Sequence, residues 1–315
     1  MSGQGRPMPA GRPSSGKAAG LSLAALVLLV YLGFLAYPFG RLGAPLSVAG
    51  PAVAIPAMTA LYLWHGLRTA GPGMLATFAA VAIVVAGSAE ATSLAFGFPF
   101  GRFAYTERMH ATLLGVPAIV LAAYAIVGYW CWRTAAILTG KGAPGCTGQV
   151  LAATALMVAW SVVADPVRAT IEQRWIWPDG GPLLGVPLSN LGGWIVTSLS
   201  IFAAYSVVER RFAGGGQELP RRLSVCPPLM YGALAFEYLV HPLVPAADRV
   251  VTAGNAAYSS DAIYAVVAVL ALFTMVPAAT AAAIIAFRAA MPRRSAVRDL
   301  QPRLSGQGRA SRRPA

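Results

Sequence analysis

Residues 160–194 read WSVVADPVRATIEQRWIWPDGGPLLGVPLSNLGGW, and the organisation of the chain follows from this stretch. It leaves one apolar run at an acid followed by proline, Asp165-Pro166, and crosses a loop rich in tryptophan and glycine. It then re-enters apolar sequence at LLGVP, residues 183–187. The stretch therefore joins two apolar segments through an aromatic loop.

An earlier part of the chain repeats this arrangement. The letters LLGVP also occupy residues 113–117, and an aromatic, glycine-containing loop at residues 96–105 precedes them. An acid, Glu90, lies in the apolar run before that loop. A unit of acid, aromatic loop, LLGVP and helix thus occurs twice, and 70 residues separate Gly115 from Gly185. Proline at the end of each LLGVP suits a first helical turn, and glycine allows a tight turn before it.

The composition indicates a membrane protein. Of 315 residues, 57% are hydrophobic and only 11% are charged, whereas charged residues make up about a quarter of a soluble domain. A membrane-spanning helix needs about 20 apolar residues. We predict an all-α polytopic membrane protein with about eight transmembrane helices in one bundle. The predicted spans are Leu21–Tyr37, Ser47–Leu67, Met74–Phe96, Ala111–Trp132, Val150–Ala164, Leu188–Val208, Val225–Val244 and Ala262–Phe287.

The basic residues predict the orientation of the chain. The net charge of +13 is explained by the positive-inside rule, so no nucleic-acid partner is expected. With eight spans, 18 of the 24 Lys and Arg residues lie in the two tails and the even-numbered connections. This predicts a multi-pass protein of the cell (cytoplasmic) membrane with both termini in the cytoplasm. We expect disordered basic tails at 1–20 and 291–315, the second near anionic lipid, around a membrane domain at 21–290.

Three acids fall on predicted helices that run towards the same membrane face. Glu90 lies in the third span, Asp165 at the end of the fifth and Glu237 in the seventh, with His241 four residues further on. A carboxylate inside a span is costly unless it faces protein or water, so Glu90 is expected to point into the bundle. The spacing of Glu237 and His241 predicts that they share one side of a helix.

Aromatic and polar residues of the repeated unit predict a pocket above these acids. Candidate pocket residues are Tyr105, Trp175, Trp177, Asn190 and Trp194. Two structural interpretations compete with a pocket. An interfacial aromatic belt would place tryptophan at the same depth. Asp165-Pro166 also matches a helix N-cap with proline at the first helical position. On the same grounds we expect Arg102, Arg108, Arg168 and Arg174 among lipid head groups, and His65 and His110 at the interface.

Several chemistries are disfavoured by residue counts. Di-iron desaturases need many histidines, and the chain has three. Retinal proteins need a lysine within a span, and neither Lys17 nor Lys141 is in one. Prenyltransferases use closely spaced aspartates, which are absent around Asp165, and no GxGxxG, Walker or CxxC motif occurs. No metal or other cofactor is expected. A cofactor-free reaction on an apolar substrate, transport and scaffolding remain.

The repeated unit carries a family resemblance. The segments GSAEATSLAFGFPFGRFAYT, AWSVVADP and RWIWPDGGPLLGVPLSNLGGW resemble the bacterial and archaeal membrane carotenoid hydratases, which include carotenoid 1′,2′-hydratase and bisanhydrobacterioruberin hydratase. The resemblance spans residues 74–208. It implies a hydro-lyase of carotenoid biosynthesis that adds water to the terminal C1′=C2′ bond of an acyclic ψ-end group and forms a tertiary alcohol. A lycopene or γ-carotene type substrate and a C50 precursor both fit.

The implied reaction assigns roles to the acids. Protonation at C2′ leaves a tertiary cation at C1′, so the site needs a neutral carboxylic acid, and removal from water favours that form. Because Glu90 lies deeper in its predicted span, we expect it to be the acid. The less buried Asp165 is then the base that orients water. The reverse assignment is open, and Glu237 with His241 is a reserve pair. Tryptophan and tyrosine faces would stabilise the cation.

Two other functions are weighed against hydration. A carotenoid end-group cyclase would begin with the same protonation but would require a dry pocket, and the polar residues beside Asp165 favour water. A small-solute or proton-coupled transporter would also place acids in an internally repeated bundle. Expected partners are a lipid-soluble carotenoid, water and membrane lipids, and association with other carotenoid-pathway enzymes is a further possibility.

Overall fold

Eight α-helices form the protein in a computed structural model, which describes residues 15–140, 145–212 and 223–291. The helices are α1 Ser15–Ala36, α2 Ala44–Thr69, α3 Gly71–Phe96, α4 Ala118–Thr139, α5 Thr147–Asp165, α6 Leu188–Phe212, α7 Cys226–Val240 and α8 Ser260–Ala290. The short strands are β1 Ala104–Tyr105, β2 Thr112–Leu113, β3 Val116–Pro117, β4 Trp175–Ile176, β5 Val250–Ala253 and β6 Ala256–Ser259. The predicted all-α membrane fold is confirmed.

Within the described ranges, seven of these segments are long and apolar enough to cross a membrane. Only α7 is not among them: its 15 residues rise about 22 Å at 1.5 Å per residue. A short 3₁₀ helix, His241–Leu243, extends it. Most side chains of α7 are buried, so neighbouring helices rather than lipid surround it.

Several predicted boundaries differ from the structure. Helix α1 begins at Ser15, before the predicted span at 21–37, whereas residues 1–14 and 292–315 of the predicted tails lie outside the described residues. Helix α4 begins at Ala118 rather than at residue 111, because β2 and β3 use the intervening residues in a hairpin. Pro117 is the N-cap of α4 and not its first helical residue.

Helices α4 and α5 form the centre of the bundle. Helix α4 contacts α2, α3, α5, α7 and α8, and α5 contacts α4, α6, α7 and α8. Large side chains such as Trp130, Trp132 and Met157 are almost fully buried there. A central position surrounds both helices with protein, which allows polar side chains on them to avoid lipid.

The two repeated units have similar conformations. In each LLGVP, the second leucine and the glycine have positive φ: 53° and 81° at Leu114 and Gly115, 55° and 92° at Leu184 and Gly185. Positive φ at both central residues is the mark of a two-residue type I′ hairpin turn. Strand β2 pairs with β3 across the first turn, and a Leu183–Val186 bridge closes the second. The predicted tight turns are confirmed.

The aromatic loops of the two units pair with each other. Strands β1 and β4 are antiparallel, with Tyr105 opposite Trp175 and Ala104 opposite Ile176. The Thr106 amide extends the ladder by donating to the Arg174 carbonyl at 3.0 Å. Tyr105 and Trp175 are themselves 70 residues apart, as Gly115 and Gly185 are. Equivalent positions of the repeat therefore meet over the ends of α3 and α5.

Candidate functional site

Glu90 is buried near the end of α3, with 6% of its surface exposed. The Tyr105 hydroxyl donates to its Oε2 at 3.0 Å, and the Tyr124 hydroxyl donates to its Oε1 at 3.0 Å. Burial, and then the charge of Glu90, raise the pKa of Tyr105, so this phenol keeps its proton and donates. The expectation that Glu90 faces the bundle is confirmed, and α4 and the first aromatic loop hold its carboxyl group.

Asp165 is the last residue of α5 and does not cap a helix. The chain continues into a π-helix, Pro166–Ile171, and no cap hydrogen bond forms, so the N-cap interpretation is wrong. Asp165 Oδ2 accepts from Asn190 Nδ2 at 2.5 Å and from Trp194 Nε1 at 2.9 Å. Single π-helical turns frequently occur at functional sites. Here the turn carries the chain onward while Asp165 faces α6.

The expected difference in burial between the two acids is wrong. Asp165 is 4% exposed and Glu90 6%. Helix α6 covers the Asp165 carboxyl group and the π-helical turn buries the residues after it, which the sequence of α5 alone does not indicate. Burial therefore does not distinguish the roles of the two acids.

One small cavity lies between the two carboxyl groups. Its volume is about 40 Å³, more than the roughly 10 to 15 Å³ that one water molecule requires. Its lining combines the two acids, one amide and mainly aromatic side chains: Glu90, Phe100, Phe103, Tyr105, Val120, Asp165, Trp175, Trp177, Asn190 and Trp194. All five predicted pocket residues are among them. Among the residues that the structure describes, no Lys or Arg lines this cavity.

Tyr124 connects the two acids and was missed by the sequence interpretation. Its ring stacks on that of Trp194, with centroids 4.8 Å apart and planes 23° from parallel. Tyr124 holds Glu90 through its hydroxyl, while Trp194 holds Asp165 through its indole N–H. A tyrosine in an apolar helical run gives no sign of this role except its own polar group.

The first aromatic loop is fixed over the cavity by hydrogen bonds to both repeats. The Phe100 amide donates to Ser93 Oγ at 2.8 Å, and Trp177 Nε1 donates to the Phe100 carbonyl at 3.2 Å. Gly193 on α6 lets the Phe100 ring approach, since a β-carbon there would lie 2.3 Å from Phe100 Cδ1. The loop is thus packed closely against α3 and α6.

Glu237 and His241 lie outside this cavity. Glu237 forms an ion pair with Arg168, and its Oε1 is 3.8 Å from His241 Nε2, which confirms that the two share one side of the chain. The His241 ring stacks on Tyr264 with centroids 4.3 Å apart. The reserve pair therefore belongs to a separate cluster at the ends of α5 and α7.

The two arginines of this cluster, Arg168 and Arg174, bind carboxylate groups of the protein. Arg168 Nη1 is 2.6 Å from Glu172 Oε1, and Arg174 Nε is 2.6 Å from Glu172 Oε2. Burial alone would raise the pKa of Glu172, but the two arginines lower it below its usual value. Tyr37 of the first helical hairpin donates to the same carboxylate. Both arginines therefore have a protein carboxylate as partner, and their position at the level of the head groups stays a prediction.

His65 is buried, and its predicted interfacial position is wrong. It is 0% exposed, with Nδ1 2.7 Å from the Tyr129 hydroxyl and Nε2 3.1 Å from the Leu223 carbonyl. The other histidine placed at the interface, His110, is exposed. Within the described residues, no three His, Cys, Asp or Glu side chains converge as a metal site would require.

An apolar groove of about 200 Å³ runs beside the cavity. Side chains from α1, α2, α4, α5 and α7 line it, among them Phe34, Ile55, Ile126, Trp160 and Leu234. Ile119 on α4 faces the groove, and the next residue, Val120, lines the cavity. Trp160 touches Trp194 edge to face at 5.8 Å between centroids. A thin wall of side chains thus separates an oily groove from the two acids.

The fold and this site define a polytopic helical membrane protein with a paired-acid, aromatic cavity next to an apolar groove. Residues 49–256 match the family model described as carotenoid biosynthesis protein, and the chain belongs to that family. The match contains both repeated units and all the predicted site residues. No curated protein and no solved structure matches the chain.

Proposed function

We propose that this protein is a carotenoid hydratase, a hydro-lyase that adds water to the terminal C1′=C2′ bond of an acyclic carotenoid without a cofactor. Membership of a carotenoid biosynthesis family supports an apolar polyene substrate. The observation that carries the proposal is that Glu90 and Asp165 line one small, aromatic cavity. Two carboxyl groups and room for water are what acid protonation followed by hydration requires.

The polyene would lie in the apolar groove, with its end group past Trp160. Burial of a long hydrocarbon chain against apolar side chains is favourable, and the groove lining is mainly apolar. The terminal double bond would then reach the cavity side of α4, where the cavity between the acids has room for water. The partners in this proposal are the carotenoid, water and the surrounding lipids, with other carotenoid-pathway enzymes supplying the substrate.

We assign the proton donor to Asp165, the reverse of the sequence-based expectation. Both of its hydrogen bonds reach Oδ2, and among the residues that the structure describes no donor contacts Oδ1. A neutral carboxylic acid accepts on its carbonyl oxygen and keeps its hydrogen on the other, so this pattern suits a group that gives a proton to an alkene.

Glu90 is assigned as the base. A tyrosine hydroxyl donates to each of its oxygens, and donated hydrogen bonds favour a carboxylate. In the reaction, the Asp165 O–H bond breaks as the C2′–H bond forms, and the π electrons leave C1′ as a tertiary cation. Water binds C1′ through oxygen, and its extra proton passes to Glu90. Transfer of that proton back to Asp165 through cavity water completes the cycle, so the net change is addition of one water.

The cation would be stabilised by the aromatic lining. Faces of tryptophan and tyrosine attract a positive charge, and Tyr105, Trp175 and Trp194 surround the carboxyl groups. We further propose that α7 with its 3₁₀ extension is an eighth crossing and that the protein lies in the cell membrane with cytoplasmic termini. With eight crossings, the basic residues concentrate in the tails and the even-numbered connections.

Expression in a bacterium that accumulates an acyclic carotenoid tests the function. Each hydrated end should raise the pigment mass by 18 mass units, roughly the mass of the water added across a double bond, as measured by chromatography with mass spectrometry. An isomer of unchanged mass would instead establish cyclisation. Unaltered pigment from a folded, membrane-inserted protein would contradict both reactions.

Variants connect the activity to the cavity. Glu90→Gln and Asp165→Asn should each accumulate unhydrated pigment. Glu209→Gln is the matched control, because Glu209 is also a buried acid but bonds to Trp132 away from the cavity. Wild-type activity in either cavity variant would remove that residue from the mechanism.

A further inference from the structure

A second, polar cavity opens where α1, α5 and α7 end and α8 begins. Its volume is about 670 Å³, within the range of small-molecule sites. Four arginines line it, Arg41, Arg108, Arg174 and Arg249, against one carboxylate, Glu172. Asp261 contacts Arg41 from outside the lining. The cavity therefore has a net positive charge at one end of the bundle.

The arginines are held in place and retain donors. Arg41 Nη1 donates to the His241 carbonyl at 3.0 Å, and its guanidinium lies 4.4 Å from the Tyr264 ring centroid. Arg174 uses Nε for Glu172 and Nη2 for the Tyr37 hydroxyl. Each guanidinium has five N–H groups in a planar fork, so these contacts leave N–H groups for a ligand.

A buried histidine also faces the cavity. His241 lines it and is 2% exposed. Neither ring nitrogen has a hydrogen-bond partner among the described residues, although unpaired buried polar atoms are costly. Stacking on Tyr264 fixes the plane of the ring, and its Nε2 lies 3.8 Å from Glu237 Oε1.

We propose that this cavity binds an anionic phosphate group, supplied by a membrane phospholipid. Guanidinium forks match the oxygens of a phosphate and form short, charge-assisted hydrogen bonds with them. The cavity lies at an end of the bundle, the level at which lipid head groups meet a membrane protein. It also shares Tyr37 and Arg174 with the apolar groove, so a head group bound there contacts the wall of that groove.

Native mass spectrometry of the full-length protein tests the proposal. The protein is released from nanodiscs that contain phosphatidylglycerol and phosphatidylcholine in equal amounts, and bound lipid is counted. We expect phosphatidylglycerol to be retained and the double variant Arg108→Gln/Arg249→Gln to retain about tenfold less, as expected for losing charge-assisted contacts. Both side chains are exposed, which limits damage to the fold. Arg102→Gln, another exposed arginine of the same face but outside the lining, is the control and should bind as wild type.

A second arm identifies the source of the phosphate. In lipid-depleted detergent, inorganic phosphate is added and thermal unfolding is followed. Stabilisation by phosphate that the double variant lacks, together with equal retention of the two lipids, would assign the cavity to a soluble phosphate compound rather than a lipid. Equal retention of both lipids with no stabilisation by phosphate would contradict the proposed site. So would a loss of bound phosphatidylglycerol in Arg102→Gln as large as that in the double variant.

Discussion

At the scale of residues, the catalytic proposal depends on two carboxyl groups with different hydrogen-bond patterns. Asp165 accepts twice on one oxygen, whereas Glu90 accepts once on each. The first pattern leaves one oxygen able to carry and release a proton, and the second favours a proton acceptor. The stacked pair of Tyr124 and Trp194 connects the two patterns, so that a shift of either ring would disturb both acids.

The assignment of donor and base can be tested in heavy water. Membranes that contain Glu90→Gln should still let Asp165 protonate C2′ reversibly, so recovered substrate should gain deuterium at C2′ although no alcohol forms. Asp165→Asn lacks the donor and should return unlabelled substrate. Mass spectrometry of the recovered carotenoid measures the label. Labelling by Asp165→Asn alone would return the donor role to Glu90.

At the scale of elements, the two LLGVP turns have the same backbone but different surroundings. A β-carbon at Gly185 would lie 2.5 Å from Thr170 Oγ1 and 2.6 Å from Ala253 Cβ. At Gly115 the nearest neighbour is Leu94 Cδ1 at 3.4 Å. The second turn is therefore enclosed between the π-helical turn and strand β5, whereas the first has space around it.

Alanine substitutions distinguish these environments. Gly115→Ala should lower the free energy of unfolding by about 1 kcal/mol, the cost of a left-handed backbone for an L-residue. Gly185→Ala pays the same backbone cost, and overpacking should add roughly 1 to 3 kcal/mol. Thermal unfolding of the detergent-solubilised protein would compare them. Equal destabilisation would show that the second turn is not enclosed as described.

At the scale of the whole molecule, an ion-pair network holds the helix ends together. Arg168 follows α5 and pairs with Glu172 and with Glu237 of α7. Its guanidinium also lies 4.9 Å from the ring centroid of Tyr37, after α1. The network thus joins the ends of α1, α5 and α7 beside the groove. It holds Glu237 outside the cavity that Glu90 and Asp165 line.

Replacing Arg168 alone should destabilise the protein more than replacing both Arg168 and Glu237. Arg168→Gln leaves the buried Glu237 without its ion-pair partner and should cost about 3 to 5 kcal/mol of stability. Adding Glu237→Gln should recover part of this loss, because no unpaired charge then remains. Denaturation of the single and double variants in detergent gives the coupling energy. Additive losses would contradict a direct pair.

The repeat itself limits what could be predicted. Equal spacing indicated that one unit with an aromatic loop occurs twice, but pairing of β1 with β4 depends on how two helical hairpins meet. The misplacement of His65 has the same cause: an isolated histidine near a helix end looks interfacial until Tyr129 and the Leu223 carbonyl surround it.

By itself, the sequence determined the helical membrane fold, the two turns and most of the residues that line the cavity. These follow from local properties, since apolar length, glycine at positive φ and acids in apolar runs act within a few residues of the chain. Only the tertiary structure decided that Asp165 is as buried as Glu90, that Tyr124 bridges them and that Glu237 pairs with Arg168. Each of these depends on side chains that are distant in sequence and meet only when the helices pack.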